Sequence, residues 1–354
     1  MRPGARVLAF SGLLLLSSCS HVNPYYDPTK AHHRPEGFQN IDPNAVLPRP
    51  FSDFARWQRD RFSLEIAAPK MDLAPVQPDF GLIRSSEDQF AVTWIGHSTA
   101  LVQMGTVRVL TDPQFSERAS PVQWAGPKRY QPPGVALADL PHVDVVLISH
   151  NHYDHLDTAS VRALNAQAGG APLFVVPLGL ETWMADVGIT NVKALDWWDH
   201  VDVAGVTVHL TPVQHWSRRT LSDANQSLWG GFVVEGKTRG AMRRLFFAGD
   251  TGYSAQHFRE IGDKFGPIDL ALIPIGAYEP RWFMSPQHVN PEESVQIHRD
   301  LHSRFSIGVH WGTFLLTDEP LDAAVGDLAM ARSKFGVREE DFIVLRHGGS
   351  RRID

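Results

Sequence analysis

The hydrophobic pattern of the chain changes character near Gln89. From there, short apolar runs alternate with turn-forming residues. FAVTWI, ALVQM and TVRVLT read as successive strands, the second and third joined by a tight connection at Met104 and Gly105. VDVVLIS has the continuous apolar character of a strand buried on both faces. Helical spacing follows near TASVRALNAQ and LETWMADV, with the strand-like LFVV between them. The second half repeats this texture. VTVHLTPV, LWGGFVVE and RRLFFAG read as strands, followed by a helix near AQHFREIGDKF, the strand LALIPIG, a helix at PEESVQIHRDLH and the strand FSIGVH. Strands open each half and helices follow, which predicts two similar halves within one domain spanning residues 89–354.

Residues 20–88 read differently. The stretch up to Pro50 is polar and proline-rich, with NPYYDP and RPEGF, and predicts a tether or wrapping arm that adds nothing to the core. FSDFARWQRDRF then places Phe51, Phe54, Trp57 and Phe62 near helical spacing, a face suited to packing on the domain or a partner. Ahead of the arm, Arg2 and Arg6 precede VLAFSGLLLL, too short to span a bilayer but suited to an export signal. Ser17, Ser18 and Cys19 follow. Residues 1–19 thus resemble a bacterial lipoprotein signal ending at a lipidated Cys19, and Ser20 fits the version retained at the outer membrane. Several acyl chains on one residue would give durable anchoring. An ordinary secretory signal with a nearby cysteine is the alternative; both predict export.

Composition narrows the chemistry. Of 354 residues 43% are hydrophobic, enough for a sizeable core. Lys and Arg number 33 against 39 Asp and Glu, a net charge of -6, so no global basic field invites nucleic acid. A single cysteine rules out an intramolecular disulfide.

Directly after VDVVLI comes SHNHYDHLD, which crowds His150, His152, Asp154 and His155 into six residues. His215, Asp250 and His310 each follow a strand-like run as well, so strands sharing a sheet edge would bring all of these groups to one rim. Two metal ions would turn groups that are costly to bury into satisfied ligands. In an extended segment His150 and His152 face the same side and can grip one ion, leaving Asp154 and His155 free for a second. Imidazole and carboxylate without thiolate suit zinc, with iron or manganese as alternatives.

HxHxDH with the later His, Asp and His resembles the metallo-β-lactamase superfamily. Further stretches, namely VTWIGHST, LTDPQFSERASP, GPKRY, LISHNHYDHLD, VPLGL, LDWW, QHWSRRTL, FFAGDTGY, IPIGAYEPRWFM, QHVNPEES and HWGTF, resemble the N-acyl-phosphatidylethanolamine-hydrolysing phospholipase D family. The resemblance runs from about Val92 to His347. It implies an α+β, four-layer αβ/βα sandwich with a dinuclear site between the sheets. His150, His152 and His215 would bind the first zinc, and Asp154, His155 and His310 the second, with Asp250 bridging. The implied reaction is attack on phosphorus by a hydroxide held by two cations, releasing N-acylethanolamine and phosphatidic acid from a phospholipid. Asp154 would orient the nucleophile, His288 would assist the leaving group, and Gln287 with His288 would position substrate. The family also implies a homodimer.

His97 is expected to make a structural hydrogen bond. Arg218, Arg219 and Arg281 are candidates for lipid phosphate, though salt bridging is the commoner fate of arginine. Trp197, Trp198 and Trp229 are expected in the core, and AYEPRWFMSP as a lipid-facing lip. Two other functions stay open at this level: a metal-dependent lactonase or small-ester hydrolase, and a non-catalytic zinc-binding envelope lipoprotein. The full donor set argues against the second, because structural zinc sites are normally closed and mononuclear.

Overall fold

A computed structural model describes residues 22–353. The expected export signal and Cys19 lie outside the described residues. The arm begins with a short hairpin of β1 (His33–Arg34) and β2 (Gly37–Phe38), then α1 (Phe51–Phe62) and the single turn α2 (Phe80–Ile83). The first half of the domain comprises β3 (Gln89–Gly96), β4 (Thr99–Gly105), β5 (Val107–Thr111), β6 (Val145–Leu147), α3 (Thr158–Asn165), β7 (Leu173–Pro177), α4 (Leu180–Asp186) and β8 (Val192–Leu195). The second half opens with β9 (His200–Val203), β10 (Val206–Thr211), β11 (Gly231–Thr238) and β12 (Ala241–Phe247). It continues through α5 (Ala255–Phe265), β13 (Leu270–Pro274), α6 (Arg281–Met284), α7 (Pro291–Asp300) and β14 (Ser306–Val309). Helix α8 (Ala323–Phe335), β15 (Phe342–Val344) and β16 (Ser350–Arg352) complete it.

These strands form two seven-stranded sheets, ordered β16-β3-β4-β5-β6-β7-β8 and β15-β14-β13-β12-β11-β10-β9. Each half runs as an antiparallel meander and then turns parallel, at β5–β6 in the first sheet and β12–β13 in the second. This is the repeat that the alternating texture predicts. Trp94, Val102, Val145, Phe232 and Phe247 fill the space between the sheets, while Phe246 faces the other way and packs on Phe258 of α5. On the outer face of the first sheet, Ile95, Leu101, Val146 and Ile148 pack with Val161, Leu164, Leu180 and Met184 of α3 and α4. Burial on both faces explains why these strands read as unbroken apolar runs. The result is the expected α+β sandwich of two mixed sheets flanked by helices.

The arm departs from expectation. Phe38 is 2% exposed and, with Leu73, belongs to the main hydrophobic core. Trp57 of α1 stacks on Phe283, with ring centroids 5.0 Å apart, which is the packing on the domain expected of that helical face. A polar clasp fixes the start of the arm, where Lys30, His32 and His33 reach the Asp196 carboxylate at 2.5, 2.7 and 2.9 Å. Single apolar residues set among prolines and polar residues carry no periodicity, so their burial cannot be read from pattern.

Strand direction positions the site. Within the first sheet β3, β5 and β6 run the same way, and within the second so do β10, β12, β13 and β14. His97, Asp112 and the His150 cluster follow the first set, and His215, Asp250 and His310 follow members of the second. Among the described residues, no helix is long and apolar enough to cross a membrane.

Candidate metal centre

The seven side chains in question meet at one rim. In a first group, His152 Nδ1 lies 2.8 Å from His150 Nε2 and 3.3 Å from His215 Nε2. In a second, Asp154 Oδ2 lies 3.4 Å from His155 Nε2 and 3.5 Å from His310 Nε2. Asp250 faces both groups. Its Oδ2 is 3.1 Å from His155 Nε2 and its Oδ1 is 3.1 Å from His310 Nε2, while Oδ2 lies 3.9 and 4.0 Å from His215 and His150.

The donor set fits divalent cations. His155 Nε2, His310 Nε2 and Asp250 Oδ1 are buried and lack a hydrogen-bond partner, although they lie close together. Buried polar atoms left in this way are costly, and these converge on shared points instead of aligning with each other. A cation at each point would satisfy them together.

Neighbouring groups fix the rings so that Nε2 of His150, His155 and His215 faces inward. His155 Nδ1 donates to Asp112 Oδ2 at 2.6 Å. His150 Nδ1 donates to Ser149 Oγ at 2.9 Å, and that hydroxyl donates in turn to Asp112 at 2.5 Å. His215 Nδ1 donates to the Gln287 carbonyl at 3.0 Å. Such outer partners orient metal-binding imidazoles and raise their basicity. Asp112 and Ser149 were not singled out by sequence reasoning. The available signal was the same as for the other groups: a polar residue directly after a buried strand. Asp112, His97 and His310 hold φ at +30°, +52° and +62°, unusual for side-chain-bearing residues. Tertiary bonds hold this strain, including His310 N to His97 O at 2.9 Å.

Burial pushes His150 well below the usual imidazole range, His152 to about 4 and His215 to about 3. These rings stay neutral with free lone pairs. Burial also opposes charge on His155 and His310, but the Asp250 and Asp154 carboxylates outweigh it, lifting His155 well above its ordinary value and His310 to about 9. Burial alone would raise both carboxyls, yet the surrounding imidazoles hold Asp154 and Asp250 well below the normal range. The second group is therefore anionic at heart and draws a proton or a cation.

Other residues of interest take up varied places. His97 Nε2 lies 3.0 Å from Asp154 Oδ2, the structural hydrogen bond expected of it. His288 Nδ1 is 3.8 Å from Asp250 Oδ2, and its side chain keeps 14% exposure. Gln287 is buried, its amide engaged with Met284 Sδ at 3.4 Å, so its link to the centre runs through its carbonyl. Arg219 donates to the Asn151 and Leu156 carbonyls, both at 2.8 Å, and bridges the metal-type loop to the His215 loop. Arg281 pairs with Glu293 and donates to the His288 carbonyl. Arg218 is exposed, 5.2 Å above the Trp216 ring. Trp197 and Trp229 are in the core as expected, and Trp198 is half-buried against it.

Fold and donor set together define a metal-dependent hydrolase of the metallo-β-lactamase superfamily. The profile of the Beta-lactamase superfamily domain matches residues 107–311. The chain is 45% identical over 238 residues to N-acyl-phosphatidylethanolamine-hydrolyzing phospholipase D 1 of Caenorhabditis elegans, covering 65% of each chain. It is 40% identical over 308 residues to an uncharacterized protein of Mycobacterium tuberculosis, covering 85% of this chain and 79% of that one. Among solved structures, the metallo hydrolase Igni18 of Ignicoccus hospitalis shares the fold at a TM-score of 0.56 and 19% identity, over 75% of this chain and 99% of that chain. The chain belongs to the beta-lactamase superfamily, and within it is similar to N-acyl-phosphatidylethanolamine-hydrolyzing phospholipase D 1 of the nematode. It spans 65% of the nematode relative's length, slightly under two thirds.

Proposed function

We propose that the chain is a phosphodiesterase of phospholipase D type, cleaving N-acyl-phosphatidylethanolamine-like lipids to N-acylethanolamine and phosphatidic acid. The observation that carries the reading is the pair of donor groups bridged by Asp250, which matches a centre for two cations. His150, His152 and His215 would hold the first, and Asp154, His155 and His310 the second, with zinc favoured by imidazole and carboxylate donors and iron or manganese also accommodated. When bound, such a pair polarises phosphoryl oxygen and acidifies water to supply the nucleophile.

The chain's own groups do the rest. Asp154 keeps 16% of its side chain exposed and His288 keeps 14%, whereas His150, His155, His215, Asp250 and His310 keep 2% or less. Substrate would thus approach past Asp154 and His288. Asp154, already bonded by His97, would orient the attacking water. Burial pushes His288 down to about 3, so it is neutral and can offer one N–H to the departing oxygen. Gln287 would contribute to substrate placement through the loop it shares with His288. Beside this loop, Trp282 of α6 is partly exposed, Arg56 of α1 lies 4.3 Å above its ring, and Phe51 and Phe54 are exposed nearby on α1. An apolar ridge next to a polar mouth suits a lipid with its head group at the centre. A lipidated Cys19 would keep this mouth at the envelope membrane, and a homodimer would be compatible with it.

The test is incubation of metal-replete protein with a mixed phospholipid extract and mass spectrometry of the products. N-acylethanolamine released together with phosphatidic acid is expected, with a rate that depends on acyl length. Release of neither overturns the assignment.

A further inference from the structure

One member of the first donor group is contacted by the arm. His215 lies beyond the end of β10, and its peptide N–H and C=O find their partners in one side chain, that of Asn40. His215 N donates to Asn40 Oδ1 at 3.1 Å, and Asn40 Nδ2 donates to His215 O at 2.9 Å. The second Nδ2 hydrogen goes to Ala45 O at 3.2 Å. Asn40 is buried, and this arrangement uses both of its donors and its acceptor. The pairing is a one-residue imitation of a β-ladder, made across 175 positions of sequence.

The arm is secured on both sides of this contact by other bonds. Phe38, buried in the core, donates from its backbone to Asn225 O at 2.8 Å, and Asn225 Nδ2 donates to Leu47 O at 2.9 Å. Further upstream stands the clasp of Lys30, His32 and His33 on Asp196. Asn40 is thus presented by a braced segment, while Gln287 O holds the His215 ring at Nδ1. Three bonds fix His215: two on the backbone from the arm and one on the imidazole from the His288 loop.

We propose that Asn40 is a positioning residue of the metal centre, setting the backbone of His215 so that its Nε2 meets His150 and His152 at one cation. This rests on the reading of His215 as a metal donor given above. The arm is then a working part of the centre as well as a strap around the domain.

The experiment compares N40A with K30A, which loosens the arm at the partly exposed Lys30 without touching His215. Zinc affinity of each full chain is measured by chelator competition, and amide hydrogen exchange is followed at His215. In N40A, one of two zinc ions is expected to bind at least about tenfold more weakly, the order typical of lost outer-shell partners. The His215 amide should exchange faster, while K30A stays close to wild type in both readouts. Should N40A fail to fold, N40D keeps an acceptor for His215 N–H but sets an oxygen against His215 C=O, and the same ion is expected to weaken. Unchanged zinc binding in N40A or N40D, or equal weakening in N40A and K30A, overturns the proposal. Lipid turnover is not read here, so failure of the substrate assignment leaves these outcomes unaffected.

Discussion

Asp112 shows how much one buried carboxylate can organise. It orients His155 directly and His150 through the Ser149 hydroxyl, and so reaches one member of each donor group. Replacing it with alanine frees both rings to turn. D112A is expected to lower metal affinity by about 10- to 100-fold, as read by metal content after dialysis against a weak chelator. His288 has the opposite profile. It touches no outer partner through Nδ1 and stands at the mouth, so H288A should keep both metals and lose turnover by roughly 100-fold, the low end of proton-transfer contributions. A variant that turns over lipid at the wild-type rate would take His288 out of the reaction.

At the scale of elements, the centre is a consequence of strand direction. Each donor follows a strand whose end lies on the same rim, and tight turns bring those ends close. At one of these turns Gly249 has φ at +61° and room for no Cβ, which would lie 2.5 Å from Ser149 Cβ. It separates β12 from Asp250 and abuts the residue that steadies His150. G249A is expected to cost about 2–4 kcal/mol from left-handed backbone and overpacking combined, and to reduce metal content as Ser149 and Asp250 are pushed apart. Urea denaturation and metal analysis on the same preparation check both parts. On this scale the paired halves were legible in the sequence, because apolar residues persist through β6 and β13 and close β5 and β12. The edge strands β9 and β16 were not, since half-exposed strands such as His200–Val203 lack that signal.

For the whole molecule, several histidines outside the centre are buried neutral. Burial pushes His298 to about 4, and His347 likewise. In the unfolded chain each would titrate near 6.5, so between about pH 6.5 and 4 the unfolded state binds more protons and stability falls as the pH is lowered. The loss is on the order of 3 kcal/mol per histidine across that range. Denaturation at pH 7 and at pH 4.5 should therefore differ less in H298N than in wild type, by roughly 2–3 kcal/mol. An identical difference in the two proteins would mean that His298 does not stay neutral in the fold. The arm also belongs to this scale, because its value comes from contacts scattered over the domain: Phe38 in the core, the Asp196 clasp and Asn40 at His215.

The sequence by itself determined which side chains are candidate metal donors and which runs become buried strands. Both are local properties: ligand types gathered in HxHxDH, and apolar residues persisting through a segment. It placed His215, Asp250 and His310 at strand ends for the same reason. Only the tertiary structure decided that Asp112 and Ser149 steady two rings, that Arg219 and Arg281 serve backbone carbonyls, and that the proline-rich arm enters the core and grips His215. Those roles arise between residues far apart along the chain, and a hydrogen bond formed on folding leaves no periodic trace in either of the segments it joins.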